Sequence, residues 1–370
     1  MLDKQSQKGG DASTNIQADS ITLNLGIDEK RAREICREMN EQLKKEYSLE
    51  ALETMRHRVS EFEDRLVFKM EKVEGALGAF ADPGFQLLLL EAQKKAASTE
   101  RRSDYDLLSE LLIHRFEKGE NRPARAGISR AVDVVDEISD EALLGLGVIH
   151  AISYYIATSG DVSEGLDTLE GLFSKINYGS LPQGHDWLDH LDVLDAIRLN
   201  SFSGSGVKKI QQYYPEVMSG YVDVGIEKGS KAHDDALEIL KLNNLPLDIL
   251  VDHFFNDNFL RLRVVSKGEI KNIQLSRNVA GFGGAFWVPV PISASQIQAL
   301  ESIYGLYKVD QNIRLENVRL FMVEWNNREN LRAVGTWWDN IPVGFQITSV
   351  GRVLADCNIR RFDGSIPPVM

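Results

Sequence analysis

Leu52, Met55, Val59, Phe62, Leu66, Met70, Val73 and Leu77 recur at steps of 3, 4, 3, 4, 4, 3 and 4. Such a run keeps apolar side chains on one seam of an α-helix, close to a heptad repeat with one irregular step. It excludes a strand, whose faces alternate at every second residue. The other faces are dense in charge, from Arg56 and Arg58 through Glu61, Asp64 and Arg65 to Lys69, Glu71 and Lys72. Two readings of the seam stand side by side: a long helix laid on its own domain, or a helix that self-associates or pairs with the one before it. That preceding helix is predicted over 28–46, where Ala32, Ile35, Cys36, Met39 and Leu43 form one stripe and Asp28 stands at the N-cap.

Gly75, Gly78, Asp82, Pro83 and Gly84 interrupt the pattern, and Pro83 stands where a new helix begins. Beyond it, periodicity and Gly, Pro or Ser punctuation predict helices over 84–98, 104–118, 123–137, 139–157, 163–176, 186–199, 207–219, 231–242 and 246–256. The stretch 142–157 is apolar on nearly every side, which predicts a buried core helix; it falls short of the roughly 18–20 apolar residues a bilayer span requires. From Leu260 the texture changes. Leu260, Leu262 and Val264 alternate with arginines, Lys271 to Leu275 alternates again, and Gly281 to Gly284 leads into Phe286, Trp287 and Val288, which read as strands joined by turns. A helix capped by Ser293 or Ser295 runs to about Lys308, another follows Asn317, Trp337 to Phe345 reads as a loop into a strand, and Thr348 opens a last helix through Asn358.

The fold class is mainly α: an N-terminal β tract and long heptad-like helix, a central all-helical domain, and a small α+β winged-helix-like C-terminal region. The divisions are 1–27 (β-prone leader), 28–80 (helical, coiled-coil oligomerisation segment), 81–258 (all-helical domain) and 259–370 (α+β C-terminal domain). In the leader, Ile21, Leu23 and Leu25 alternate with Thr22 and Asn24 inside a polar, amide-bearing tract from Gly9 to Gly26. A charge-poor strand of this kind suits pairing with another chain better than core building. Asp11 and Asp19 oppose open-ended stacking, because in-register copies bring like charges to within roughly 5 Å. The expected oligomerisation residues are therefore Ile16, Ile21, Leu23 and Leu25 in the tract, with Leu52, Met55, Val59, Phe62 and Leu66 on the seam.

Asp and Glu total 55 against 42 Lys and Arg, a net charge of −13, so the molecule as a whole repels phosphate backbones and anionic lipids. Its two cysteines, Cys36 and Cys357, lie too far apart in sequence for a metal motif or disulfide framework, and the first residues are polar; a cytoplasmic protein is expected. No catalytic residue, cofactor or metal site is predicted. His185 with Asp189 and Asp186 with His190 are i, i+4 pairs that offer imidazole and carboxylate, yet Trp187, Leu188, Leu191 and Leu194 make the acidic side the outward one. The Gly204-Ser-Gly-Val-Lys-Lys run lacks the spacing of a phosphate loop and reads as a connector. Arg101, Arg102, Arg122, Arg125 and Arg130 form one basic stretch; Arg352, Arg360 and Arg361, beside the winged-helix-like end, are the candidate nucleic-acid contacts.

The opening Lys4-Gln-Ser-Gln-Lys-Gly-Gly-Asp-Ala-Ser-Thr-Asn-Ile-Gln-Ala resembles the leader of an uncharacterised bacterial protein family. Its Asn-Ile-Gln-Ala core is loosely similar to bacterial amyloid-signalling motifs of the RIP-homotypic type, although the usual glycine is absent and Asp19 puts a charge there. Phe80-Ala-Asp-Pro-Gly-Phe-Gln through Ala96, the helices to Leu146 and the terminal Phe345-Gln-Ile-Thr-Ser-Val-Gly-Arg-Val-Leu-Ala are similar in order to all-helical abortive-infection proteins. What that resemblance implies is a role in antiphage defence or stress response, with no catalytic residue to carry over. The expected function is an oligomerising cytoplasmic interaction protein: a homo-oligomer meeting a protein partner or phage-derived trigger, without a membrane span. The alternatives are a nucleic-acid-binding regulator acting through the C-terminal arginines, and, third, a metal-dependent nuclease or toxin.

Overall fold

The computed structural model describes residues 27–44, 48–119, 121–200, 206–281, 284–364 and 366. Ile16, Ile21, Leu23 and Leu25 lie outside the described residues, as do Gly204 and Ser205 at the start of the Gly204 run. The chain is mainly helical with a few small sheets. Its elements are α1 (Glu29–Leu43), α2 (Leu49–Met70), α3 (Pro83–Ser98), α4 (Arg102–Lys118), α5 (Arg122–Val134), α6 (Asp140–Tyr154), α7 (Val162–Ile176), α8 (Asp186–Val193), β1 (Ile197–Leu199), α9 (Ile210–Val217), α10 (Ser219–Val222), β2 (Ile226–Glu227), α11 (Lys231–Leu242), β3 (Leu250–Asp252), β4 (Phe259–Leu262), β5 (Gln274–Gly281), β6 (Gly284–Pro291), α12 (Ala294–Gly305), α13 (Gln311–Asn326), α14 (Glu329–Asp339), β7 (Phe345–Ile347) and α15 (Ser349–Arg360).

Helix starts follow local chemistry. Asp28 accepts from the Arg31 amide at 2.8 Å, Asp82 from Phe85 at 2.9 Å ahead of Pro83, and Asp161 from Glu164 at 2.9 Å. Each satisfies an amide that has no partner inside its helix. Glu170 of α7 does the same across the fold, accepting from the Asn330 and Leu331 amides at the start of α14 at 3.1 and 3.0 Å. The apolar stretch beginning at Ala142 forms α6, buried from Ala142 through Ile152 and packed against α7, α8 and α15, as a helix apolar on all sides requires.

The seam of α2 faces inward. Met55, Val59, Phe62 and Leu66 are each 1% exposed or less, and α2 lies against α3 and α4 with Leu52 packed beside Met55, Val59 and Ala97. Arg65 and Lys69 bridge to Asp106 and Glu110 of α4 at 2.5 and 2.7 Å. The expected oligomerisation residues Met55, Val59, Phe62 and Leu66 are therefore enclosed within the chain, with Leu52 half-buried beside them, which accords with the reading of a long helix laid on its own domain. For the same reason no domain boundary falls at residue 80. One core runs from Ala32 through Ala92, Leu111 and Ile149 to Leu354 and Ile366.

The predicted C-terminal domain is divided as well. Residues 226–303 supply a second, smaller core, including Ile226, Leu240, Leu262, Ile270 and Leu300, under the sheet ordered β2-β4-β3. Phe321, Trp325, Leu331, Val334 and Leu354 return to the main core instead. Residues 259–370 thus form no separate winged-helix-like unit, because their apolar faces are claimed by two different cores. Two predicted helices change character for a related reason. In 246–256 only Leu247–Ile249 turns helically before Leu250, Val251 and Asp252 pair with Leu262, Arg261 and Leu260. In 186–199 the helix stops at Val193, Asp195 in the turn after it is held at φ 62°, and Ile197–Leu199 pairs antiparallel with Phe345–Ile347. Trp337 and Trp338 sit in α14 rather than in a loop, buried with Leu331 and Val334.

Candidate functional site

The β1–β7 pair and its neighbours build a recess. Asn200 donates its amide to the Gly344 carbonyl at 2.8 Å, extending the ladder by one bond. Thr348 then caps α15: its Oγ1 accepts from Gly351 N at 3.1 Å while donating to the Asp195 and Ala196 carbonyls at 2.5 and 3.0 Å. Gly351 is required here, since a Cβ would stand 1.9 Å from the Ala196 oxygen. The first turn of α15 is thereby pinned to the end of α8, and Arg352 is set beside the ends of α6, α9 and α14.

The resulting cavity, about 540 Å³, is walled by Tyr154, Tyr213, Trp338 and Phe345, with Ser153, Asn200, Gln346 and the cations Lys208 and Arg352 at its edges; among the described residues no Asp or Glu lines it. Its volume falls in the roughly 300–1,000 Å³ range of small-molecule sites. The walls are fixed by hydrogen bonds on their far sides. Trp338 donates its indole N–H to the Lys208 carbonyl at 2.8 Å, and Tyr213 donates its hydroxyl to the Ile152 carbonyl at 3.2 Å. Trp338 lies 6.3 Å from Phe345 and 6.4 Å from Tyr213, centroid to centroid. Tyr154 is backed by the fully buried His150 imidazole, 4.8 Å away, and stays 40% exposed itself. Burial, with Arg352 nearby, pushes His150 down to about 4, so its ring is neutral at neutral pH.

The two cations differ. Lys208 pairs with Glu216, whereas Arg352 is exposed and has no ion-pair partner among the described residues. The other two candidate nucleic-acid contacts are not brought together with Arg352. Arg360 donates to both Glu117 oxygens at 2.9 and 3.0 Å. With His114 beside it, that fork draws the Glu117 carboxyl down to about 2. Arg361 donates to the Ser103 carbonyl at 2.9 Å and lies over Phe362, 4.9 Å from the ring. At about 100° per residue, Arg361 leaves α15 on the side roughly opposite Arg352. Arg352 and Arg361 therefore leave α15 in different directions, and Arg360 is engaged by Glu117.

Two members of the His185 cluster are engaged by the fold: His190 Nε2 accepts from Ser139 N at 3.2 Å, and Asp192 accepts from Leu199 N at 3.2 Å. Among the described residues, no group of three or more His, Cys, Asp or Glu is arranged to hold a metal. In the basic stretch, Arg101 donates to the Val135 and Ile138 carbonyls at 2.9 and 2.7 Å and so closes the end of α5 against α4. Cys36 and Cys357 are buried free thiols whose burial raises them well above the ordinary range, unsuited to nucleophilic work. Sequence reasoning missed the aromatic walls because they come from three distant segments, around Tyr154, Tyr213 and Trp338 to Phe345. One signal existed, the Gly204 run, whose Gly206, Val207 and Lys208 reach the recess.

The class so defined is a mainly helical protein with a small α+β appendage and an aromatic recess edged by cations. A family model whose description names no activity matches residues 26–280, and the chain belongs to that uncharacterised family. No curated protein and no solved structure matches the chain. No helix among the described residues is long and apolar enough to cross a membrane.

Proposed function

We propose that this protein works by binding rather than by chemistry, holding a small anionic ligand in the recess between α6, α9, α14 and α15. One observation carries the reading: four aromatic rings and two cations converge there from separate segments, with no carboxylate among them. Its setting, on the resemblance to all-helical abortive-infection proteins, is cytoplasmic defence or stress signalling in a bacterium, with a protein partner or a phage-derived trigger downstream or upstream of the ligand. Assembly into a homo-oligomer, in this reading, falls to the tract at 9–26, because the α2 seam is enclosed within the chain.

The test is retention. The full chain, incubated with a small-molecule extract of bacterial cells and examined by native mass spectrometry, should carry a bound small anion. Gln346→Trp places a bulky ring at the exposed rim of the recess and should abolish that retention without changing the circular dichroism. Equal retention by both forms, or none by either, would overturn the reading.

A further inference from the structure

We propose that the ligand of this recess is a nucleoside monophosphate or a closely related mononucleotide, its base against Tyr154 and Phe345 and its phosphate at Arg352. This deepens the binding reading above and rests on it. The argument starts from what the walls can recognise. An aromatic ring held from behind, as Tyr154 is by His150, presents a flat apolar face to the cavity at little cost in side-chain freedom. Bases stack on such faces regardless of identity.

Arg352, which lines the same recess, supplies a guanidinium with no ion-pair partner among the described residues, whose forked donors match phosphate oxygens. The Lys208 ammonium adds a second, partly neutralised charge, since Glu216 shares it. Asn200, Gln346 and Ser153, which also line the recess, provide donors and acceptors suited to a base edge or a ribose hydroxyl. The absence of carboxylates among the lining residues selects against cations. The net charge of −13 selects against a long polyanion, which must cross the whole acidic surface, while a mononucleotide meets only the local field.

Calorimetric titration of the full chain decides it, with adenosine and guanosine monophosphates, the parent nucleosides, inorganic phosphate and a ten-residue oligothymidylate as separate probes. At least one monophosphate should bind, its nucleoside and inorganic phosphate each at least tenfold more weakly. Arg352→Gln should weaken the monophosphate about 10- to 100-fold, and Tyr154→Leu about 5- to 100-fold by loss of stacking. Arg352 is exposed and has no ion-pair partner among the described residues, so R352Q should keep the parent thermal midpoint and serves as the folding control. No binding by either monophosphate at millimolar concentration overturns the proposal. So does binding that R352Q and Y154L leave unchanged, or binding by the oligonucleotide alone. If the monophosphates fail while an extract anion is retained and lost in Gln346→Trp, the nucleotide assignment falls and the binding reading stands.

Discussion

The larger core and the smaller one are built by different means. The larger is helix against helix, and it gathers Ala32 from α1 and Ile366 from beyond α15 into one body with α6 at its centre. The smaller draws only on 226–303 and relies on a sheet whose strands are two to four residues long. So short a sheet is marginal unless something packs on it. The division is sharp enough that the neighbours Val264 and Val265 face different cores. A large helical body tolerates contributions from anywhere in the sequence; a small mixed unit must be a contiguous piece and must be fastened.

The fastener is Arg261, 2% exposed, and breaking it should give the largest effect. Its guanidinium donates to the carbonyls of Gly160 at 2.6 Å, Leu262 at 3.1 Å, Val264 at 3.3 Å and Gly220 at 3.4 Å, and it lies 5.4 Å from the centre of the Tyr221 ring. The backbones meet closely around it: a Cβ at Gly160 would stand 2.1 Å from the Arg263 oxygen. Arg261→Ala leaves buried carbonyls without donors and should cost about 3–5 kcal/mol. Hydrogen exchange sharpens the comparison. Amides of β2, β4 and β3 should lose protection first, while those of α4 and α6 keep theirs. Uniform loss across the chain would show that the two cores unfold as one.

Acidification should give the next largest effect. Burial holds His150, in the main body, and His253, whose ring bonds the Asp223 carbonyl at 2.9 Å, both down at about 4. In the unfolded chain each titrates near 6.5. Between pH 6.5 and 4 the unfolded state takes up these protons and the folded state does not, so stability falls as pH falls. Glu63 runs the other way: burial raises it to about 7, so its contribution is full below the unfolded value near 4.5 and is lost as pH rises through 7. Two histidines against one carboxyl leave a net loss on the order of 3 kcal/mol between pH 6.5 and 4.5. Urea midpoints across that window should drop accordingly, and His150→Leu should remove nearly all of the net drop, because the loss at His253 is then offset by the opposite contribution of Glu63.

How much of this could be read from residues alone depends on distance along the chain. The starts of α3, α7, α11 and α12 were legible because a cap, a proline or a capping box is written within three residues of each. Strand β1 was not, because Ile197 finds its partner at Ile347, and nothing local distinguishes it from the end of a helix. Strand β3 was hidden likewise by its pairing with β4. The recess was least legible of all: Tyr154 sat in a run read as core, Lys208 in a run read as connector, and Trp338 in a run read as loop. The α2 seam was half legible, for its spacing announced a buried face without saying whose side chains would bury it.

That last ambiguity sets up the smallest expected effect. Phe62 and Phe68 lie six residues apart on α2; Phe62 is 0% exposed in the core, while Phe68 is 57% exposed with the Lys72 ammonium 3.7 Å from its ring centre. Phe62→Ala opens a cavity and should cost about 3–5 kcal/mol. Phe68→Ala removes only a surface contact and should cost about 1 kcal/mol or less. Light scattering turns the pair into a test of which surface assembles the protein. If α2 serves only its own chain, Phe68→Ala leaves the solution mass unchanged, and deletion of residues 1–27 lowers it. A mass that falls with Phe68→Ala and survives the deletion would move assembly from the leader to the outer face of α2, where Phe68 would be the anchoring side chain.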